Sequence, residues 1–153
     1  MREDTKARLE HWGDARFARL GIWLYVVTRG RLSRVLARRR TLLLRTRGRR
    51  TGRPRTVVLQ YFPAGDDLLV VAANAGLARN PDWYHNLLAD PDPTVLVEGR
   101  ALHVTPRECP AEERDELWDR VLSSAPDYER YRRRTTRQIP LVRLTPARTT
   151  HVS

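Results

Sequence analysis

The sequence predicts an α+β fold, in which about six mainly antiparallel strands form a small closed or partly closed barrel with helices outside. Three observations support it. Short apolar stretches typical of strands follow one another in pairs, turns rich in glycine or proline separate the members of each pair, and helical segments lie between the pairs. The strict alternation of strand and helix that builds a parallel nucleotide-binding sheet does not occur.

The first 40 residues are predicted to form a basic helical arm, separate from a barrel domain of residues 41–148. Residues 5–13 and 15–27 have helical spacing of apolar side chains, and Leu32, Val35 and Leu36 form a further apolar stripe among arginines. Two interpretations remain open. The arm packs its stripe on the domain, or it lies on an anionic membrane surface.

The barrel domain is predicted to begin with two hairpins in series, built from TLLLRT, TVVLQYF and DLLVVAAN. Asn80 is a favourable helix cap and Pro81 a favourable first helical residue, so a helix is expected over WYHNLLAD. A third hairpin, TVLVEG with ALHVTPRE, turns near Gly99. A helix over residues 110–123, a helical turn over DYERYRRR and a strand over IPLVRLT complete the domain.

Composition and charge narrow the classes of function. Hydrophobic residues make up 41% of the chain, as is typical of a soluble globular protein. The longest apolar run in the sequence is far shorter than a helix that crosses a bilayer needs. The single cysteine, Cys109, excludes an internal disulfide, and the four scattered histidines do not predict a metal site. The net charge is +11, and residues 1–55 alone carry +13. The N-terminal third is therefore expected to face an anion.

The stretch TRGRRTGRPR, residues 46–55, is the most charged turn of the chain. Gly48 and Gly52 are expected to let backbone N–H groups converge on one point. Four guanidinium groups can then bind phosphate oxygens: Arg49, Arg50, Arg53 and Arg55. An anion cradle and a solvated loop both fit this pattern. Nucleic acid is disfavoured, because no aromatic residue that could stack on a base lies between Arg29 and Arg55.

Residues 72–87, AANAGLARNPDWYHNL, form a second notable segment. They leave a strand, cross small residues and enter a helix whose N-terminus favours an anion. The small side chains would let a flat ring lie against the backbone. For Trp83 and Tyr84, packing under the helix is the alternative to ligand contact.

Taken together, LRTRGRRTGRPRTVVLQYF, LLVVAANAGLARNPDWYHNLLADPDPTV and PDYERYRRRTTRQIPLV resemble the deazaflavin-dependent nitroreductase family. The resemblance covers about residues 41–142. It implies a split β-barrel of the flavin-reductase or FMN-binding type, with coenzyme F420 as cofactor and FMN as the alternative. It also implies an enzyme that transfers a hydride from the reduced deazaflavin to an electron-poor acceptor: a quinone, an activated alkene or a nitroaromatic.

The resemblance also implies the residues of the site. Those matching the motif for the coenzyme's acidic tail are Gly48, Arg49, Arg50, Thr51, Gly52 and Arg55. Those matching the second motif are Arg79, Asn80, Pro81, Trp83 and Asn86, and the neighbours of the ring are Gln60, Ala73, Asn74 and Gly76. Tyr128 and Tyr131 match tyrosines of the substrate pocket and are the expected catalytic residues, as proton donors or as groups that order the acceptor.

These features predict a cytoplasmic enzyme with a small-molecule acceptor, peripheral contact with an anionic inner membrane face, and the homodimer common among such barrels. Two further functions remain open from the residues alone. One is a protein that binds F420 or FMN without turnover, and the other is a basic nucleic-acid-binding protein.

Overall fold

The computed structural model describes residues 39–148. The predicted arm of residues 1–40 lies outside the described residues except for its last two. The described chain contains six strands: β1 (Thr41–Arg47), β2 (Pro54–Ala64), β3 (Asp67–Val71), β4 (Thr94–Val97), β5 (Arg100–Glu108) and β6 (Leu141–Pro146). It also contains three α-helices and a 3₁₀ helix: α1 (Asp82–Ala89), α2 (Ala111–Ser124), α3 (Tyr128–Arg134) and the 3₁₀ helix Asn74–Gly76.

The six strands form a closed barrel in the order β1-β2-β3-β6-β5-β4, and every neighbouring pair is antiparallel. The long strand β2 serves two neighbours, since its first part pairs with β1 up to Gln60 and its second part pairs with β3 from Tyr61. The predicted barrel of about six antiparallel strands with flanking helices is therefore confirmed.

Alternation along the strands produces two separate apolar cores. The inner core takes buried side chains from all six strands and is completed by Tyr84 and Leu87 of α1. The outer core lies on β2, β3 and β6 and is covered by α2 through Leu117, Trp118 and Val121. The buried thiol of Cys109 belongs to this outer core. Helices α1 and α2 are thus fixed on different sides of the barrel wall.

The segment between β3 and α1 differs from its prediction in two places. The strand expected to reach Asn74 ends at Val71, and Asn74 itself lies in the left-handed region, with φ of 46°. Helix α1 has Pro81 at its N-cap and no side-chain cap, so the predicted capping role of Asn80 is wrong. The Asn80 amide oxygen instead accepts a hydrogen bond from Arg137 at 2.6 Å.

Candidate functional site

The arginine turn is closed by hydrogen bonds of its own. The amide of Gly48 donates to the carbonyl of Arg53 at 2.8 Å, and the amide of Gly52 donates to the carbonyl of Gly48 at 2.8 Å. Gly52 has φ of +68°, which favours glycine, and a Cβ on Gly48 would lie 2.8 Å from the hydroxyl oxygen of Thr51. Thr51 also accepts from the amide of Arg53 at 3.3 Å. The sequence TRGRRTGRPR therefore specifies one compact turn.

Helix α1 braces this turn at two points. The buried Asn86 accepts from both the amide and the guanidinium of Arg49, each at 3.1 Å, and Asp82 pairs with the same guanidinium at 3.5 Å. Asp90, one helical turn beyond Asn86, accepts from the amide of Arg47 at 2.8 Å. The structure therefore brings the two predicted motifs together, with Asn86 bonded to the turn and Asp90 as a bracing residue that sequence reasoning missed.

These contacts change what the turn can offer to an anion. Four of the six amides of residues 48–53 already have acceptors, and among the described residues only those of Arg50 and Thr51 have none. Two neighbouring amides therefore remain to donate to a ligand, and the expected convergence of backbone N–H groups on one point stays a prediction. Within the described chain, the guanidinium groups of Arg50, Arg53 and Arg55 make no hydrogen bond or ion pair and are exposed. The turn presents positive charge mainly through these three side chains.

The predicted ring segment is a tight, partly strained loop between β3 and α1. Ala73 and Gly76 are buried, and Asn74, Ala75 and Gly76 have consecutive positive φ values of 46°, 53° and 79°. A Cβ on Gly76 would lie 2.8 Å from the carbonyl oxygen of Tyr131. Helix α3 therefore packs directly on the loop, which places the two predicted catalytic tyrosines next to the predicted ring neighbours.

The tyrosines of α3 form an aromatic cluster with β2. The ring of Tyr128 packs edge to face on Phe62, with centroids 5.7 Å apart, and on Tyr131, with centroids 5.3 Å apart. Burial, assisted by the proximity of Tyr131, raises the pKa of Tyr128 to about 12, and the positive charge of Arg39 opposes that rise. Tyr128 is therefore a neutral hydrogen-bond donor at physiological pH.

Gln60, the fourth predicted ring neighbour, is held by an arginine that the sequence did not single out. Arg39 donates to the amide oxygen of Gln60 at 3.4 Å and forms an ion pair with Asp127 at 2.7 Å. Since Asp127 immediately precedes α3, Arg39 joins β2 to the helix that carries the tyrosines. No sequence pattern predicted these contacts, because Gln60 and Asp127 lie 21 and 88 positions from Arg39 in the sequence.

The other predicted residues have mainly local roles in the structure. The exposed Arg79 offers its carbonyl to the side-chain amide of Asn74 at 3.0 Å. Pro81 occupies the N-cap position of α1, and the half-buried Trp83 packs against the inner core. The side chain of Arg79 therefore has no protein partner within the described chain. Trp83 has the packing role that the sequence left open as the alternative to ligand contact.

A cavity of about 280 Å³ lies beside Arg137, which contacts the loop of residues 72–80, hereafter the ring loop. It is lined by Arg114, Asp115, Trp118, Arg132, Arg137, Gln138 and Ile139. None of these is a predicted site residue, and among them Arg137 contacts the loop directly. Within residues 39–148 no group of His, Cys, Asp or Glu side chains is arranged to hold a metal ion, and no helix there is long and apolar enough to cross a bilayer.

Comparison with known proteins identifies the family. The family model described as F420H(2)-dependent quinone reductase matches residues 17–146. The chain belongs to this family. An F420H(2)-dependent quinone reductase of Mycobacterium tuberculosis strain H37Rv is 38% identical over 146 residues, which cover 93% of this chain and 98% of that protein.

Solved structures agree with this assignment. One described as an F420-H2 dependent reductase, FDR-A, has a TM-score of 0.62 and 31% identity and covers 69% of this chain and 94% of its own. Another, described as a domain-swapped dimer, has a TM-score of 0.62 and 28% identity and covers 76% of this chain and 96% of its own. The predicted split barrel, the F420-dependent reductase activity and coenzyme F420 as cofactor are thereby confirmed.

Proposed function

We propose that this F420-dependent reductase passes a hydride to a quinone, with the coenzyme's tail in the arginine turn and its ring along residues 72–80. The observation that carries the proposal is that the guanidinium groups of Arg50, Arg53 and Arg55 have no partner within residues 39–148 and lie on a turn that α1 braces through Asn86. The names of the relatives favour quinones over the other two acceptor classes.

The donor set fits an anionic, extended ligand. Three guanidinium groups without a carboxylate partner among the described residues are suited to a phosphodiester and to carboxylates, which they bind through charge-assisted hydrogen bonds. Arg49 is engaged by Asn86 and Asp82, so we assign it to positioning the turn. Gly48, Thr51 and Gly52 shape the turn, and the amides of Arg50 and Thr51, which have no acceptor among the described residues, add two donors.

At the other end, the loop and α3 form the surface for ring and acceptor. Reduced F420 supplies the hydride when it is bound. Ala73, Asn74 and Gly76 present little side-chain bulk on this surface, and Gln60 adds an amide that Arg39 orients. Because α3 packs directly on the loop at Gly76, we assign the acceptor to the outside of this surface, beside the tyrosines of α3.

The tyrosine hydroxyls orient the acceptor and assist the proton that follows the hydride. With a pKa of about 12, Tyr128 stays protonated and can donate a hydrogen bond to a quinone oxygen that gains negative charge. The charge of Arg39, which opposes the rise in the pKa of Tyr128, would also favour that oxyanion. Tyr131 lies against Tyr128 and is assigned the same orienting role.

A fluorescence titration with oxidised F420 tests the tail assignment, with FMN titrated in parallel at two salt concentrations. Arg55→Ala should weaken F420 binding by about 1.5–3 kcal/mol, as expected for a hydrogen bond between charged groups. Arg120→Ala removes the same charge from α2, where Arg120 pairs with Glu116, and should leave the dissociation constant unchanged. Equal effects of the two variants would remove Arg55 from the site.

The acceptor is tested by the oxidation of F420H2 in the presence of menadione, an activated alkene or a nitroaromatic. A quinone reductase should give the highest kcat/KM with menadione. Binding of F420 without oxidation by any of the three would instead identify a protein that binds the coenzyme without turnover.

We also propose that the enzyme meets its quinone at an anionic membrane surface and that it forms homodimers. The charge of +13 on residues 1–55 supports the first proposal, and the neighbour described as a domain-swapped dimer supports the second. Co-sedimentation of the full chain with phosphatidylglycerol vesicles, but not with phosphatidylcholine vesicles, is the expected result. Light scattering that gives a monomer mass would contradict the dimer.

A further inference from the structure

Arg137 lies between α3 and β6, and the guanidinium hydrogen bonds that it makes within the described chain all go to residues 72–80 of the ring loop. Its Nε donates to the carbonyl of Leu77 at 2.9 Å, and its Nη1 donates to the side chain of Asn80 at 2.6 Å. Its Nη2 donates to the carbonyls of Ala73 at 2.8 Å and Ala72 at 3.2 Å. Four acceptors spread over nine residues of chain therefore meet on one guanidinium group.

The loop that Arg137 holds needs such support. Asn74, Ala75 and Gly76 lie consecutively in the left-handed region, which is unfavourable for the first two residues because they carry a Cβ. Inside the loop, hydrogen bonds run from the amide of Gly76 to the carbonyl of Ala73 and from the amide of Leu77 to the carbonyl of Asn74. Contacts from outside must offset the remaining cost of this conformation.

Only arginine has the geometry for this task. A guanidinium group carries five N–H donors in a fixed plane, whereas a lysine ammonium offers three on a flexible stem. No carboxylate among the described residues pairs with Arg137, so its charge acts on carbonyl dipoles alone. Burial lowers its pKa from the ordinary arginine value, but the group remains charged at neutral pH.

We propose that Arg137 is a positioning residue for coenzyme F420: its guanidinium holds residues 72–80 in the conformation that receives the deazaflavin ring. The inference rests on the proposed function, in which Ala73, Asn74 and Gly76 adjoin the ring. Arg137 acts through the loop and does not itself touch the reacting atoms.

Binding of F420 to the Arg137→Ala variant is the first arm of the test. If the competent loop conformation falls to about 1–10% of molecules, the dissociation constant rises about 10- to 100-fold. Arg137→Lys should recover little of this loss. Arg114→Ala is the matched control, because Arg114 lines the same cavity and donates to the carbonyl of Ile139 at 2.7 Å without touching the loop.

The cavity of about 280 Å³ beside Arg137 allows chemical rescue. In Arg137→Ala the volume of the lost side chain joins this cavity, so added methylguanidinium can take the place of the guanidinium group. Millimolar methylguanidinium should restore F420 binding in Arg137→Ala and should have no effect on wild type or on Arg114→Ala. Rescue would show that the missing guanidinium group causes the defect, and the hydrogen exchange described next separates a local from a global loss of stability.

Hydrogen exchange of the protein without coenzyme is the second arm and does not depend on the proposed function. The amides of Gly76 and Leu77 should exchange at least about 10-fold faster in Arg137→Ala, since their protection follows the local opening equilibrium. Unchanged exchange or unchanged F420 affinity would overturn the proposal, and so would equal losses in Arg114→Ala. If wild type fails to bind F420, the proposed function and the positioning role fall, while faster exchange would still identify Arg137 as the clamp of the loop.

Discussion

Substitution of Gly76 by alanine should disrupt the close packing of α3 on the ring loop and destabilise the fold. Gly76 has φ of +79°, and an added Cβ would lie 2.8 Å from both the carbonyl oxygen of Tyr131 and the Cβ of Arg134. Left-handed backbone costs an alanine about 1–2 kcal/mol, and forced overpacking costs a further ~1–3 kcal/mol. We therefore expect Gly76→Ala to lower the free energy of unfolding by about 2–5 kcal/mol.

Gly65→Ala provides the matched control for backbone strain. Gly65 has φ of +62° in the turn between β2 and β3, and a Cβ there would meet nothing within 4 Å, so only the ~1–2 kcal/mol of strain should be lost. Urea unfolding followed by tryptophan fluorescence measures both variants. Gly65→Ala should keep wild-type turnover, whereas Gly76→Ala should lose it along with F420 affinity. Equal stability losses would refute the claim that α3 packs too closely on Gly76 to admit a methyl group.

Three further predictions concern the turn and the tyrosines. Asn86→Ala removes the acceptor of two hydrogen bonds from Arg49, so urea unfolding should show that the free energy of unfolding falls by about 1–3 kcal/mol. Titration should show a weaker affinity for F420, and an unchanged affinity would contradict the claim that α1 positions the turn for the coenzyme. Replacing both Tyr128 and Tyr131 by phenylalanine should slow turnover and spare F420 binding, and normal turnover would limit them to packing. Burial raises the pKa of Tyr128 and of Tyr84 to about 12, so stability should be unaffected by them below pH 10, where both folded and unfolded states keep the proton. Between pH 10 and 12 the unfolded state ionises first, and stability should fall by up to about 1.4 kcal/mol per pH unit for each group. Urea unfolding across this range should show a shallower fall for Tyr84→Phe, and an identical fall would contradict the assigned cause.

The fold was predictable because its signals are local. Alternating apolar side chains and turn residues mark each strand, and the closing hairpin turned near Gly99 as expected, between β4 and β5. The start of α1 was misjudged because the cap preference of Asn80 competes with a tertiary contact to Arg137, 57 positions away. Propensity cannot anticipate such a contact.

For the candidate site, the sequence predicted which motifs take part but not the contacts between them. The resemblance named Asn86 and Arg49, but their mutual bond follows from how α1 docks on the turn. Arg137 and Arg39 were missed for a physical reason. The acceptors of Arg137 are mostly backbone carbonyls, which every residue has, so the sequence carries no complementary side chain that would reveal the contact.

The closed barrel restricts how two copies of this chain can associate. Each of the six strands has a neighbour on both sides, but β2 and β5 divide their length between two neighbours, so the described domain leaves only short strand segments with an unpaired edge. We therefore expect a dimer to join mainly through helices, loops or outward-facing side chains, or to open both barrels and exchange a segment between subunits. Segment exchange would break the backbone hydrogen bonds between two neighbouring strands in each subunit. We expect it to be slow, because these bonds must break before they can form again between the two subunits.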